Sequence, residues 1–254
     1  MTKIYSWNLN GIRAASNKGL VDWLKKSRAD IYCLQEVRAS EDQIPKEVLR
    51  LGLYKSWFKA VKKGYSGVAI LSKKEPINII KGIDDQEYDC EGRVITAEFA
   101  DSFVLSAYFP NSQDKGKRID YKLGFCRSLQ KFLKKLAKKK KSIILAGDYN
   151  IAHKAVDLAR PDSNENSPGY LPQEREWMSE FLDSGWVDTF RQLNPKAKDK
   201  YSWWSMRTRA RDRNIGWRID YNCIDEASKG RIVKANIKDK VLGSDHCPVY
   251  LEIE

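Results

Sequence analysis

The stretch RVITAEFADSFVLSAYFPN, residues 93–111, decides what kind of chain this is. In its first half Ile95, Ala97 and Phe99 fall on one side and Val94, Thr96 and Glu98 on the other; in its second half Phe103, Leu105, Ala107 and Phe109 share a side. A period of two is the spacing of a β-strand, so the segment predicts two strands with one apolar and one more polar face each. Outward from it, GSDHCPVYLEIE (243–254) sets Val249, Leu251 and Ile253 against Tyr250, Glu252 and Glu254, and SIILAGD (142–148) is a continuous apolar run of the kind found in central strands. Between these lie helical stripes. Leu123, Cys126, Leu129, Phe132, Leu133 and Leu136 recur at helical spacing in 119–140, and LPQEREWMSEFLDSG (171–185) carries Trp177, Met178, Phe181 and Leu182 before a C-capping glycine, Gly185. Both stripes read as core. Strands early, middle and late with helices between predict an α/β sandwich. The chain has no Pro/Gly/Ser-rich linker and no repeat, and RPDSNENSPGY (160–170) reads as a surface loop, so a single domain over 1–254 is expected.

Composition bounds the function. With 42% hydrophobic and 31% charged residues the chain belongs with soluble globular proteins and not with disordered tails. No apolar run reaches the roughly 18 residues of a membrane span, and MTKIYSWNLN lacks a signal-peptide layout, so a cytoplasmic protein is expected. Five scattered cysteines without a C-x-x-C argue against a disulfide framework or a zinc ribbon. Two histidines exclude a site built on several imidazoles, so any metal must rest on carboxylates and amides, the oxygen ligands of magnesium, calcium or manganese. A net charge of +12 attracts polyanions, nucleic acid first among them. KKLAKKKKS (134–142) reads as lysines placed at a helix C-terminus by the helix dipole. RTRARDR (207–213), after YSWW, reads as a loop whose arginines suit phosphate contact and stacking.

The informative pattern is where the apolar runs stop. WNLNG brings Asn8 and Asn10, DIYCLQE brings Glu36, SAYFPN brings Tyr108 and Asn111, LAGDYN brings Asp148 and Asn150, WRIDYN brings Asp220, and GSDH brings Asp245 and His246. One such residue means little, because Asn and Asp are common in turns; Asp245-His246 alone reads as a structural pair. Together, on neighbouring strands, they would make the carboxylate-and-amide cluster of a metal-assisted phosphoryl-transfer site.

WNLNGIRA, LQE, YFPN, GDYNIAH, PQERE, NIGWRIDY and GSDHCP, in that order, resemble the exonuclease III family of abasic-site endonucleases, within the DNase I-like metal-dependent phosphodiesterases (the endonuclease/exonuclease/phosphatase superfamily). The resemblance runs from residue 4 to residue 252; any one motif is weak, but their ordered set is specific. It implies a four-layer α/β sandwich, two mixed β-sheets packed face to face with helices outside. It implies Glu36 as principal metal ligand, Asp245 as a second carboxylate, direct or through water, and Asn8, Asn10, Asp148 and Asn150 around the same ion. Asn10 stands where some members carry Asp, and an amide brings no charge. Asp148 resembles the residue that orients and deprotonates the attacking water, Asn8 and Asn150 the amides that hold water, phosphate or ligands, and Tyr108 a phenol on the scissile phosphate; Asn111 falls on the substrate side. His246 resembles the imidazole that hydrogen-bonds the phosphate, and Asp220 the carboxylate that orients its other nitrogen; such a partner raises the imidazole pKa. Trp203, Trp217 and Ile219 match the pocket for a flipped-out sugar, which discriminates by being too small for a base. Trp204, facing the other way, and His153, just past Asp148 and Asn150, are assigned to structure. The 207–213 loop departs from better-known members, so the resemblance gives Arg207 and Arg209 no role.

The implied function is a DNA repair endonuclease dependent on Mg2+, with Mn2+ as a possible substitute, that cuts duplex DNA 5′ to an abasic site. It would leave a 3′-hydroxyl and a 5′-deoxyribose phosphate, with a 3′→5′ exonuclease or end-trimming activity beside it. The expected protein is a monomer without membrane or obligate protein partner, cytoplasmic, and nucleoid-associated if prokaryotic. Two other readings stand beside it: a phosphodiesterase or phosphatase of the same fold acting on other phosphoesters, and a nucleic-acid-binding module without catalysis. The basic charge and the aromatic NIGWRIDY segment weigh against the first; intact Glu36, Asp148, Asp220, Asp245 and His246 weigh against the second.

Overall fold

In the computed structural model, which describes residues 1–254, the strands form two six-stranded sheets. The first contains β1 (Thr2–Asn8), β2 (Ile31–Gln35), β3 (Tyr54–Phe58) and β4 (Val68–Ser72), with β11 (Ile232–Ile237) and β12 (Val249–Ile253) from the other end of the chain, in the order β11-β12-β1-β2-β4-β3. The second contains β5 (Asn78–Lys81), β6 (Val94–Glu98), β7 (Ser102–Tyr108), β8 (Ser142–Asp148), β9 (Trp186–Asp188) and β10 (Asp220–Asp225), in the order β5-β6-β7-β8-β10-β9. Each is mixed: β1 runs parallel to β2 and β7 parallel to β8, while the other pairs are antiparallel. The helices are α1 (Ile12–Asn17), α2 (Leu20–Ser27), α3 (Lys46–Leu49), α4 (Gln86–Asp89), α5 (Ile119–Ala137), α6 (Pro172–Asp183) and α7 (Thr189–Leu193).

Residues 93–111 form the predicted pair, β6 against β7 in the register Ile95↔Ser106 and Ala97↔Val104. Their faces separate as the period of two requires. Ile95, Ala97 and Val104 join Ile4, Ile70 and Leu251 between the sheets. Val94, Phe103 and Leu105 turn outward, under the Phe125–Leu129–Phe132 stripe of α5 and Met178 and Phe181 of α6. On the far side α1 and α2 cover the first sheet with Ile12, Leu20 and Leu24 against Trp7 and Leu34. The result is four layers, and it corrects one expectation: the more polar faces of β6 and β7 do not meet water, and Thr96 and Ser106 are fully buried. α6 begins with Pro172 at its first turn and ends before Gly185, whose φ of +102° is the left-handed backbone that glycine adopts without a Cβ penalty. No helix is long and apolar enough to cross a membrane.

Strand pairing collects the polar strand ends. Asn8 ends β1 opposite Gln35, one residue before Glu36; Tyr108 ends β7 opposite Asp148; and Asp148 faces Asp220 across β8 and β10. The turn before β12 returns to the same edge, where the His246 carbonyl accepts from the Trp7 indole at 3.1 Å. Residues up to 239 positions apart are thereby placed at one end of the sandwich.

Candidate active site

At that end lies a cleft of about 350 Å³. Its lining is polar at Glu36, Asp148, Asp245, His246, Asn10, Asn111 and Asn150, and aromatic or apolar at Tyr108, Trp203, Trp217 and Ile219. Asn8 and Asp220 stand behind these walls. The fully buried Asn8 amide donates to Glu36 Oε1 (2.8 Å) and to Asp148 Oδ2 (2.9 Å), tying the ends of the two sheets together. Asp220 Oδ2 lies 2.9 Å from His246 Nδ1, and its buried Oδ1 has no protein partner. Asn150 is oriented by its own neighbours: its backbone N–H donates to Asp148 Oδ1, its side-chain amide donates to the Phe109 carbonyl, and its Oδ1 accepts from Asn111 at 3.1 Å. Three of these residues, Asn10, Glu36 and Asn150, have φ near +50°. Left-handed backbone at a non-glycine residue costs on the order of 1 kcal/mol and persists where surrounding contacts over-determine it.

The electrostatics follow from burial and crowding. Burial pulls His246 down, but the Asp220 and Asp148 carboxylates outweigh it and hold the imidazole up at about 10, a cation at neutral pH. Its Nε2 lies 3.8 Å from Asp148 Oδ2. Burial and the neighbouring Asp220 charge push Asp148 up to about 7, against the pull of His246 and the Asn8 amide. Asp245 is destabilised by burial, yet the His246 charge and hydrogen bonds from Asn10 (2.9 Å) and the Trp203 indole (3.1 Å) hold it below the usual carboxylate range. Burial, then the Glu36 and Asp148 charges, raise the Tyr108 phenol, which therefore stays a hydrogen-bond donor. A single cleft thus presents a cationic imidazole, a protonated phenol and a carboxylate poised near neutrality, the complement of a phosphate under attack by water.

The donor set also suits a hard cation. Glu36, Asp148 and His246 each offer a ligand atom within 4.8 Å of the others. Glu36 is held by the Asn8 amide on one oxygen and by the Arg38 guanidinium on the other, so the position already demands positive charge. Asp245, engaged by Asn10, Trp203 and Ser244, is not one of that trio. Two carboxylates bridged by an amide fit a divalent ion with oxygen preference.

Several participants were invisible in the sequence. Arg38 carries no signal beyond lying two residues after Glu36. The 160–170 segment, read as a surface loop, sends Ser167, Pro168 and Gly169 into the cleft wall. Gly169 has φ +91°, and a Cβ there would meet the Asn150 carbonyl at 3.1 Å and the Trp217 ring at 3.4 Å. Arg211 in the arginine-rich loop is an internal clamp and no surface contact: it stacks on Trp204 at 4.4 Å and donates to the Asp239 (2.7 Å) and Val241 (2.6 Å) carbonyls, bracing the turn that carries Asp245 and His246. Arg207 and Arg209 are exposed. Trp204 is buried as expected, and His153 Nε2 pairs with Ser179 Oγ at 2.8 Å, outside the cleft lining.

Beneath Trp217 and Ile219 the buried Arg218 guanidinium bridges Asp157 and Asp188 (2.8 Å each), and Arg191 joins Asp157 at 2.6 Å. Burial raises Asp157, but the Arg218 and Arg191 charges prevail and hold it at about 2, against an ordinary 3.8. A carboxyl depressed in the folded state stabilises above its unfolded pKa and loses that contribution as pH falls toward the folded one. Asp157→Asn is therefore expected to destabilise most at neutral pH, with the gap to wild type shrinking by roughly 2 kcal/mol between pH 5 and pH 2. Urea melts across that range check it, and a gap independent of pH would show that Asp157 is not the titrating group.

The chain matches the endonuclease/exonuclease/phosphatase family over residues 5–246. It is 47% identical over 252 residues to the exodeoxyribonuclease of Bacillus subtilis, covering 99% of both chains. It is 40% identical to the DNA repair nuclease APEX1 of Danio rerio, over 98% of this chain and 81% of that protein. Among solved structures, the AP endonuclease LMAP of Leishmania major superposes with a TM-score of 0.90 at 27% identity, over 100% of this chain and 87% of the other.

Proposed function

The chain belongs to the endonuclease/exonuclease/phosphatase family, and from that premise we propose that it is a DNA repair nuclease of the exonuclease III type that cuts duplex DNA 5′ to abasic nucleotides. The observation that carries this reading is the joining, in one cleft, of Glu36, Asp148 and His246, the last held from behind by Asp220, to an apolar wall of Trp203, Trp217 and Ile219. The wall suits a sugar without a base, extruded from the stack; the charged side suits its 5′ phosphate. The His246 cation and the Tyr108 hydroxyl are placed to hydrogen-bond phosphate oxygens. The Asn111 and Asn150 amides fix the position of the phosphate and of water. Asp148, near neutrality, accepts the proton of the attacking water, and the 3′-oxygen leaves to give a 3′-hydroxyl and a 5′-deoxyribose phosphate. Glu36, with Asp148 beside it, would hold a divalent cation, Mg2+ with Mn2+ as a substitute, which supplies neutralisation of charge at the leaving oxygen. Asp245 would support that ion through Asn10 or water.

Away from the cleft, Arg13, Lys59, Lys62 and Lys63 line a groove with Tyr65. The Tyr65 hydroxyl accepts from Arg93 at 2.8 Å, and Arg93 stacks on the Tyr108 ring at 4.9 Å, so groove and cleft are mechanically joined. Cations so placed fit the phosphates of a duplex approaching the site. Likeness to an exodeoxyribonuclease favours a 3′→5′ end-trimming activity at the same cleft. Five unpaired cysteines fit a reducing cytoplasm.

The test is a duplex bearing one abasic site. A single cut 5′ to the lesion is expected with Mg2+ or Mn2+, lost in excess EDTA and restored by either ion. Full cleavage in EDTA, or equal cleavage of undamaged duplex, would remove the proposal.

A further inference from the structure

Glu174 and Lys122 form an ion pair at 2.7 Å with neither side chain accessible to solvent. Glu174 lies in the first turn of α6, and its Oε2 accepts from the Leu171 backbone N–H at 2.9 Å, as a helix-capping glutamate does. A cap needs no more than that. The same oxygen also accepts from the Gly169 N–H at 2.7 Å, while Oε1 accepts from Ser112 Oγ at 2.8 Å and from Lys122 Nζ. Lys122, in α5, donates onward to the Asn150 carbonyl at 2.7 Å. One carboxylate therefore ties together three pieces of the cleft: the 167–169 wall, the Asn111–Ser112 turn, and Asn150. Burying both charges is costly unless every hydrogen bond is made, and an ordinary helix end would not need it.

We propose that Glu174 is a specificity-determining positioning residue, pinning the Ser167–Gly169 wall against Asn150 and Trp217 so that the cleft stays too narrow for a nucleotide that carries its base. The proposal rests on the abasic-site reading above. The wall is close-fitting at the point that matters, since a Cβ at Gly169 would press on the Asn150 carbonyl at 3.1 Å and reach contact with the Trp217 ring at 3.4 Å. Loosening it by one or two hydrogen bonds widens the pocket without touching water, phosphate or Glu36.

Glu174→Gln is close to isosteric but replaces one acceptor with a donor. Its amide must then face either Lys122 or the Gly169 and Leu171 N–H groups, donor against donor. Hydrogen exchange across 167–171 is expected to speed up at least about 10-fold, and the ratio of abasic to undamaged cleavage to fall about 10-fold. A second variant, Lys122→Met with Glu174→Gln, removes the conflicting donor. It should restore protection of 167–171 and with it the discrimination ratio, while kcat falls below that of Glu174→Gln because the Asn150 carbonyl has lost its partner. A residue that merely supports the fold would not separate discrimination from rate in this way, and the double variant keeps the test open if the single one does not fold. Unchanged exchange in Glu174→Gln, or faster exchange with an unchanged ratio, would overturn the proposal. Exchange needs no substrate, so wild-type protein inert on an abasic duplex would instead defeat the function reading. The pinning of the wall would then stand or fall on exchange alone.

Discussion

Replacing His246 with asparagine is expected to lower kcat on an abasic duplex by at least about 10²-fold, and Asp220→Asn by a similar factor. The reason is geometric. His246 Nδ1 is 2.9 Å from Asp220 Oδ2, and the pair is enclosed, so the imidazole is the only donor through which the aspartate reaches the phosphate, while its charge also helps to raise Asp148. The double variant should consequently lose little more than either single one, because both substitutions remove the same cationic donor. Fully additive losses would show that Asp220 has a separate task. The same pair offers a reading independent of activity. With only two histidines in the chain, the imidazole NMR titrations are easily told apart: burial lowers His153 below its ordinary value, while His246 stands at about 10. In metal-free protein Asp220→Asn should bring His246 down, since the carboxylate that contributes most to raising it is gone.

Asp148→Asn is expected to reduce kcat by about 10²–10⁴-fold, the range for loss of a general base. The substitution keeps the shape of the side chain and the Asn150 N–H retains an oxygen to donate to, but the new amide faces the Asn8 amide, donor against donor, so a modest loss of stability is expected beside the loss of rate. What is lost is the proton acceptor. His246 should also titrate lower, because Asp148 is the second carboxylate that raises it, though Asp220 keeps it above its ordinary value. An Asp148→Asn enzyme of near wild-type rate would place the base elsewhere in the cleft. A large loss with an unmoved His246 titration would mean that the two groups do not interact at the observed 3.8 Å.

The parts of this protein legible in its sequence were those set by near neighbours. Strands β6, β7 and β12 and helices α5 and α6 followed from periods of two and 3.6, β8 from a continuous apolar run, and the end of α6 from Gly185. Such signals are local, because backbone conformation and the alternation of faces are decided within a few residues. The candidate site residues at strand ends could be named for another reason: they sit at or close to the end of an apolar run, and the ordered motifs they belong to resemble one family along the whole chain. Tertiary structure decided what no window of sequence contains. Thr96 and Ser106 look like a solvent face and are buried, since α5 and α6, distant in sequence, cover one side of their sheet and the first sheet covers the other. Arg211 looks like a surface arginine and is a clamp; Arg218 looks like one more basic residue and is the centre of a buried ion cluster. Glu174 looks like a helix cap and also holds the wall of the cleft. These roles depend on partners 28 to 62 positions away, such as Asp239 for Arg211, Ser112 for Glu174 and Asp157 for Arg218. Charge and hydrogen-bonding capacity are properties of a residue, but whether they are spent on water, on a substrate or on the protein itself depends on which distant segments the packed sheets bring within 3 Å.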